Sequence, residues 1–332
     1  VKTKDIQEIT VPSSVLDLIE ARVADLDDDE RGLLDVAACC GYDFDPLLVA
    51  EALEMNRTPA LKLLARLERK HRLVRAAGRR FVFDHHQIQE ALYAGVPELL
   101  REDYHAALAE ALERRAGETP DGEARVLLTE HFLRGGRGEG ALRHLEAALE
   151  HLAGRYEFER VGDLARRGLD ALDPLTGEAR YRVLMKAVAA FEAGGRQEER
   201  ATSLEEATTI ATSLARPTLL AEVHLARARQ TATSGNTESA LSAAREAHVH
   251  AARASDPTLV ARSHELAGTA LRQMGRIPDA MREYEAMGNA LGDLAAPSLR
   301  AQVSMELGRC RMLQGEVVSA RGQIEGAIES FR

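Results

Sequence analysis

The stretches PTLLAEVHLARARQTATSGNTESALSAAREA (residues 217–247) and PTLVARSHELAGTALRQMGRIPDAMREYEAM (residues 257–287) decide the fold, because they repeat one pattern at a spacing of 40 residues. A third copy of the pattern occupies residues 297–327. Three residue types keep this period: Gly195, Gly235, Gly275 and Gly315; Pro217, Pro257 and Pro297; and Ala240, Ala280 and Ala320. A fixed period of this length is the signature of a protein built from stacked repeats.

Each repeated residue type has a structural role in a helical hairpin. Proline suits the first turn of a helix, where its missing N–H would have no partner, and Asp256 before Pro257 is a suitable N-cap. The glycine lets the chain adopt a positive φ after a helix ends. The alanine is small enough to let the paired helix approach closely. The sequence therefore predicts one helical hairpin per unit.

The repeats resemble the tetratricopeptide repeat, which is a pair of packed helices. The matching positions are Ala228, Gly268 and Gly308 in the first helix, then Ala240, Ala280 and Ala320, Ala244, Tyr284 and Ile324, and Ala247, Met287 and Ala327 in the second. The period is 40 residues where the ordinary repeat has about 34, and His224, His264 and Ser304 stand where an aromatic residue is usual. Arg200 stands at the small position of the unit around Gly195. The resemblance implies the longer repeats of bacterial sensor domains; any other α-solenoid of helix pairs is the alternative.

The first 120 residues have a different organisation. Apolar residues at helical spacing predict several consecutive helices between Pro12 and Lys70. The helical pattern then stops, and Leu73-Val74 and residues 80–83, with Gly78 between them, predict a short β-hairpin before helices resume. Three or four helices followed by a hairpin are typical of a winged helix.

The predicted fold class is therefore all-α with a minor β-hairpin wing, in which a winged-helix module precedes an α-solenoid of tetratricopeptide-like hairpins. We expect a winged-helix domain with a connecting helix at residues 1–120 and the solenoid at residues 121–332, with regular repeats from about residue 178. Residues 123–173 are predicted to form three more amphipathic helices. Their clearest apolar stripe consists of Leu142, Leu145, Ala148, Leu149 and Leu152.

The first part of the chain also resembles the segment that follows the ATPase module in large bacterial signalling ATPases. These form the STAND class, relatives of AAA-type ATPases that include LuxR-type transcription activators and ATPase-linked kinases and cyclases. The resemblance covers residues 11 to about 115, through VPSSVLDLIEARVADLDDDERGLLDVAACCGYDFD, LLARLERKHRLV and FVFDHHQIQEALYAGVPELLREDYHAALAEALE. A helical array is what such proteins usually carry next.

This resemblance implies that the winged helix packs against a nucleotide-binding module of the same protein. Related animal and plant immune ATPases have a Met-His-Asp motif whose histidine contacts ADP. The matching stretch is Phe83-Asp84-His85-His86, in which His85 is the candidate nucleotide contact and His86 replaces the acid. Because the chain begins at Val1 without a methionine and ends within a helical pattern, we expect a fragment whose ATPase module, with its ATP or ADP, precedes it.

The chain contains no signature of an enzyme active site. It has no GxxxxGK[ST] phosphate loop, no kinase signature and no GxSxG motif, so we expect neither catalysis nor a cofactor in this fragment. His248 and His250 lie two residues apart, which places them on different faces of a helix, so we expect no metal site.

The first helices of a solenoid's hairpins line its concave face, which is the usual ligand surface. The predicted lining residues are Glu222, Leu225, Arg229, Arg262, Glu265, Thr269, Arg272, Gln302, Met305 and Arg309. Arginines bind carboxylates or phosphates through forked hydrogen bonds, so the expected partner is a protein, a peptide or a small ligand. Pairing of these arginines with glutamates of the protein itself is the alternative.

A basic stretch suggests a second function. Nine basic residues against two acidic ones between Arg57 and Asp84 give an excess of seven positive charges. The candidate residues are Arg57, Lys62, Arg66, Arg69, Lys70, Arg72, Arg75, Arg79 and Arg80. In a DNA-binding winged helix such residues contact phosphates and base edges. A solvated surface, or one that meets acidic partners in the same polypeptide, is the alternative.

Composition excludes other classes. The net charge is −10, with 53 acidic and 43 basic residues, and only 4% of the residues are aromatic, which favours helices over strands. No apolar run is long enough to span a membrane, and no leader is evident. Three cysteines, two of them adjacent, make a poor disulfide framework, so we expect a reduced, cytoplasmic setting.

Overall fold

The computed structural model describes residues 22–173, 175–292 and 294–330. The chain divides into two compact units, one ending at residue 174 and the other beginning at residue 175. The described residues are mostly helical, with one small sheet, which confirms the predicted fold class. The start of the helix predicted from Pro12 lies outside them, and its last turn, residues 22–24, is helical. Within the described ranges, no helix has the length and apolar character needed to cross a membrane.

The first unit begins with helices that surround a small sheet. Its first elements are α1 (Asp28–Cys40), β1 (Asp43–Phe44), α2 (Pro46–Ala52), α3 (Arg57–Arg66), a π-helical turn (Leu67–His71), β2 (Val74–Ala77), β3 (Arg80–Phe83), α4 (His86–Gly95) and α5 (Glu98–Ala116). The three strands are antiparallel in the order β1-β3-β2. Phe44 and Phe83, from two neighbouring strands, are fully buried against Leu34 and Leu64 of the helices.

Local sequence explains where these elements begin and turn. Asp27 and Glu30 form a reciprocal capping box at the start of α1, and Gly41 ends that helix with a φ of 116°. The predicted hairpin is confirmed, because Ala77 pairs with Arg80 across a two-residue turn that contains Gly78. Strand β1 was not predicted, since two residues are too few to show the alternation of a strand.

Three further helices complete the first unit. They are α6 (Gly122–Arg134), α7 (Gly138–Gly154) and α8 (Phe158–Ala171), as predicted. Leu145, Ala148, Leu149 and Leu152 of the predicted apolar stripe are buried, whereas Leu142 is half-buried. The division of the chain into functional domains at residue 120 remains a proposal.

Residues 175–292 and 294–330 of the second unit form four helical hairpins. Its helices are α9 (Gly177–Ala193), α10 (Gln197–Leu214), α11 (Pro217–Thr233), α12 (Thr237–Ala254), α13 (Pro257–Gln273), α14 (Ile277–Leu291), α15 (Pro297–Leu313) and α16 (Val317–Ser330). The turn inside each hairpin contains the predicted glycine, with φ values of 70°, 77°, 77° and 86° at Gly195, Gly235, Gly275 and Gly315. Asp256 caps α13 by accepting hydrogen bonds from the backbone N–H groups of Thr258 and Leu259. The predicted 40-residue hairpins are therefore confirmed.

In the last two hairpins, a glycine on the first helix faces a larger side chain on the second. A Cβ atom added to Gly268 would lie 2.8 Å from the ring of Tyr284, and one added to Gly308 would lie 2.8 Å from Ile324. In the preceding hairpin, the same two positions are occupied by Ala228 and Ala244. The small residue therefore matches the size of its partner, which sets how closely the two helices approach.

We predict that Gly268→Ala destabilises the second unit by about 1–3 kcal/mol, because the added methyl group overlaps a fully buried ring. The double variant Gly268→Ala/Tyr284→Ala reproduces the Ala228/Ala244 pairing, and its two substitutions should couple favourably in a double-mutant cycle measured by urea unfolding. Gly322→Ala on α16 is the matched control, because a Cβ there meets nothing within 4 Å. Equal stability of Gly268→Ala and Gly322→Ala would contradict this packing argument.

The first unit contains a buried histidine pair. His105 Nδ1 lies 2.9 Å from His131 Nδ1, and His105 Nε2 lies 3.1 Å from the hydroxyl of Tyr93. Burial lowers the pKa of both histidines below the ordinary value of 6.5, and for His105 the neighbouring His131 adds to the effect. Both imidazoles are therefore neutral at pH 7 and act as hydrogen-bonding groups between α5 and α6.

The pair should make the first unit sensitive to acid. A histidine whose pKa is lower in the folded state than in the unfolded state stabilises the fold above the unfolded value, and that stability is lost as the pH falls below about 6.5. We expect hydrogen exchange of the α5 and α6 amides, corrected for intrinsic rates, to show weaker protection at pH 5.0 than at pH 7.5. His131→Asn, which keeps a polar group but does not titrate, should reduce this difference; an unchanged pH dependence would refute the assignment.

Candidate binding groove of the helical repeats

A cavity of about 510 Å³ opens on the first helices of the hairpins in the second unit, α9, α11 and α13, together with the turn before α13. Four of the ten predicted ligand residues line it: Glu222, Leu225, Arg229 and Arg262. We call this cavity the groove. The predicted residues Glu265, Thr269, Arg272, Gln302, Met305 and Arg309 do not line it.

Helix α9 supplies wall residues that the sequence analysis missed. They are Tyr181, Arg182, Met185, Lys186 and Ala189. Positions 182, 185 and 189 lie 40 residues before Glu222, Leu225 and Arg229, so the repeat period contained the signal that would have identified them. They were overlooked because Arg200 made the unit around Gly195 look irregular.

Tyr181 fixes one wall of the groove. Its side chain is 1% exposed, and its hydroxyl lies 2.8 Å from Glu222 Oε2 and 3.1 Å from the backbone oxygen of Leu219. Burial, together with the nearby Glu222 carboxylate, raises the pKa of Tyr181 well above its ordinary value, so the hydroxyl remains a donor. The contact joins α9 to α11 and sets the position of the Glu222 carboxylate.

A shared carboxylate lies beside Arg229. Glu192 Oε2 is 3.7 Å from Arg229 Nε, and Glu192 Oε1 is 3.1 Å from Arg200 Nη2. The Arg200 side chain is 0% exposed, and burial lowers its pKa. Arg229 is 38% exposed and faces the groove, so one acid serves a buried and an accessible arginine.

The other predicted ligand residues form pairs within the protein. Gln302 donates a 2.7 Å hydrogen bond to Glu265, and burial raises the pKa of Glu265. Arg272 and Arg309 lie 3.6 and 2.6 Å from the carboxylate of Glu306, which is buried. Internal pairing, which the sequence left open, is therefore observed for these arginines.

Two further predicted residues, Thr269 and Met305, are half-buried. The hydroxyl of Thr269 lies 3.2 Å from that of Tyr284 and shares a hydrogen bond with it. Neither residue belongs to the groove.

The basic stretch of the first unit divides into paired and unpaired residues. Arg66 pairs with Asp27 and Glu30, Lys70 lies 3.5 Å from Asp25, and Arg80 lies 2.6 Å from Asp43. Six others are exposed and form no ion pair with any described residue: Arg57, Lys62, Arg69, Arg72, Arg75 and Arg79. We call these six residues, on α3, the π-helical turn and the hairpin, the cationic face.

His85 stands immediately before α4 with its side chain 70% exposed, and its Nε2 lies 3.7 Å from the Asp84 carboxylate. The neighbouring His86 stacks on Tyr42, with ring centroids 3.8 Å apart. Both histidines are exposed, but the ring of His86 is engaged by Tyr42, whereas His85 makes no ring contact in the described part of the chain.

The histidines of the second unit pair with different neighbours. His250 stacks on His224 at 5.4 Å between ring centroids, and His248 lies 4.6 Å from His264. His264 in turn lies 2.7 Å from the Glu283 carboxylate. In the described ranges, no three histidine, cysteine or acidic residues are placed to hold a metal ion.

No family model matches this chain, and no curated protein is similar to it in sequence. A STAND protein with a tetratricopeptide repeat sensor from Pyrococcus horikoshii is 14% identical with a TM-score of 0.48; the match covers 99% of this chain and 53% of that one. BtubC from P. vanneervenii is 16% identical with a TM-score of 0.48, over 71% of this chain and 91% of that one. This chain thus spans about half the length of the STAND protein.

A Rap protein complexed with competence and sporulation factor is 12% identical, with a TM-score of 0.51 over 96% of this chain and 77% of that one. At such low identity, the likeness is one of fold. Together with the four hairpins, it shows that the chain carries a helical array similar to the tetratricopeptide repeat.

Proposed function

We propose that this chain is a regulatory, non-catalytic sensor that binds a protein, a peptide or a small ligand in the groove. The observation that carries the proposal is the convergence of Glu222, Leu225, Arg229 and Arg262 on one cavity. These residues come from two separate hairpins, and the 40-residue period alone predicts that they share a surface. A concave site with apolar walls and a few polar groups is where ligands usually bind.

The side chains of the groove favour a ligand with both apolar and acidic groups. Met185, Leu225 and Leu259 offer apolar contacts, whereas Arg229 and Arg262 offer guanidinium donors. Arg262 is exposed and has no ion pair in the described part of the chain. An extended peptide with apolar and acidic side chains fits this combination. A Rap protein of similar fold was solved in complex with competence and sporulation factor, which supports ligand capture by such an array.

The wider context of the sensor is also a proposal. We propose that it belongs to a cytoplasmic signalling ATPase and that the helices and hairpin of the first unit form a winged helix packed against the nucleotide-binding module. The element order of helix, short strand, two helices and hairpin supports this interpretation. In such a protein, the exposed His85 is the candidate contact for ATP or ADP.

Replacing Arg229 and Arg262 by alanine should weaken peptide binding by at least about tenfold, because each substitution removes a charged hydrogen-bond donor from the groove. A degenerate hexapeptide library, captured by the purified chain and sequenced, would identify binding peptides, and fluorescence anisotropy would give their affinities. The matched control replaces Arg245 and Arg253, which lie outside the groove, and removes the same charge. Equal affinities of the two double variants would contradict the groove assignment.

The cationic face supports a second candidate function, the binding of duplex nucleic acid. Its six exposed basic side chains form no ion pair with the described carboxylates, although the whole protein is acidic. Unneutralised side chains of this kind bind phosphates, whereas Arg66, Lys70 and Arg80 are engaged by carboxylates of the first unit.

If the cationic face binds DNA, affinity for a labelled duplex should fall steeply between 50 and 200 mM salt. Binding releases cations from the DNA phosphates, and this release becomes less favourable as the salt concentration rises. Replacing Arg72, Arg75 and Arg79 by alanine should reduce the slope of log K against log salt by about three. The control removes Arg114, Arg137 and Arg166, exposed arginines elsewhere in the same unit. A slope that is equally reduced in both triple variants, or no binding at 50 mM salt, would exclude this function.

A further inference from the structure

Arg200 is the least expected residue of the second unit. It occupies the position held by Ala240, Ala280 and Ala320 in the other hairpins, where a small residue lets the helices approach. Its side chain is nevertheless completely buried. A buried guanidinium is costly unless it has a counter-ion and hydrogen bonds, so its presence at a position that alanine can fill calls for a physical reason.

The surroundings of Arg200 satisfy its charge only in part. None of its three side-chain nitrogens makes a hydrogen bond with a described residue, although Nη2 lies 3.1 Å from Glu192 Oε1. Glu192 is therefore its counter-ion. Since Coulomb attraction is strongest where water is excluded, the buried arginine should hold the carboxylate of Glu192 firmly.

Arg229 competes for the same carboxylate from the groove side. Its Nε lies 3.7 Å from Glu192 Oε2, which is beyond hydrogen-bonding distance. Two positive charges and one negative charge leave the group of Arg200, Glu192 and Arg229 with a net charge of +1. Of the two arginines, Arg229 is the one that a ligand can reach, because it is 38% exposed and lines the groove, whereas Arg200 is buried.

A second acid in the same unit is also shared by two arginines, neither of which is completely buried. Glu306 lies between Arg272 and Arg309, which are 24% and 51% exposed. There one arginine, Arg309, approaches to 2.6 Å and donates a hydrogen bond to the acid. Arg309 lies three residues after Glu306 on the same helix, whereas Arg229 reaches Glu192 from another helix and stays 3.7 Å away.

We propose that Arg200 is a positioning residue: by holding Glu192, it keeps Arg229 available for a carboxylate of a bound peptide. This inference rests on the function proposed for the groove. The ligand class that follows is an acidic peptide, whose carboxylate is an acidic side chain or the free C-terminus. In this arrangement, the carboxylate would lie in the groove beside Arg229 and complete the charge balance of the group.

The test compares Arg200→Met, which keeps an unbranched buried stem, with the double variant Arg200→Met/Glu192→Gln. In the single variant, Glu192 is released to Arg229, so affinity for acidic hexapeptides selected from the degenerate library should fall by about tenfold. The double variant also removes the competing acid, so affinity should return to within about threefold of the original protein. Arg253→Met, an exposed arginine of the same unit, controls for the loss of one charge.

The peptide carboxylates are tested in turn. Replacing glutamate by glutamine in the selected peptides, and separately amidating their C-terminus, shows which carboxylate Arg229 contacts. One of the two changes should cost about as much affinity as Arg200→Met does. A ligand-free measurement adds a second readout: the Nε–H of Arg229 should exchange with water more slowly in Arg200→Met, because Glu192 becomes its own partner.

The outcomes separate this inference from the function on which it rests. If no peptide is captured by the original protein, the groove is not a peptide site, and the proposal of an acidic peptide ligand is refuted as well. If peptides are captured without acidic enrichment, or if Arg200→Met leaves their affinity unchanged, the groove stands and the role of Arg200 is refuted. Lost affinity that Glu192→Gln does not restore would show that Arg200 acts only on stability.

Discussion

The close approach of the two helices in each hairpin is the constraint on which the second unit depends. Gly268 has no room for a side chain against Tyr284, and Gly308 has none against Ile324. Because the small position recurs 40 residues apart at Ala228, Gly268 and Gly308, successive hairpins can stack with the same side-chain positions in line. That alignment turns distant residues such as Leu225 and Arg262 into neighbours in one groove. The groove thus depends on packing at Gly268 and Gly308, which do not line it.

Arg200 departs from this constraint, because it places a large charged side chain where the other hairpins have alanine. At a position where alanine gives close packing, the chain places a charged side chain that requires Glu192 as its counter-ion. A sequence pattern alone makes this departure look like decay of the repeat. The structure shows instead that the buried charge is connected, through one shared acid, to Arg229 at the groove. Under the role proposed for Arg200, stability and ligand recognition compete at this hairpin, as they commonly do at binding sites.

Sequence reasoning succeeded where local chemistry determines the structure. Turn glycines, the Asp256 cap and the Gly78 hairpin depend on a few adjacent residues, so they can be predicted from the sequence. It failed where partners come from distant segments. The carboxylates that neutralise Arg66 and Arg80 lie more than 35 residues away in the chain, and no periodicity identifies them. The groove lies between these cases, because its α11 residues and Arg262 of α13 were predicted, whereas Thr258 and Leu259 were not and the α9 wall was implied by the same period but not recognised.

The net charge of −10 gives little guidance about partners, because both candidate sites are locally cationic in different ways. On the cationic face, six exposed side chains act additively in water, where their attraction for an anion is weak per contact and is screened by salt. In the groove, Arg229 is partly sheltered, and how far its charge is neutralised depends on how Glu192 is shared with Arg200. Screening reaches such a site less, so its selectivity rests on geometry. A polyanion therefore suits the first surface, whereas a single well-placed carboxylate suits the second.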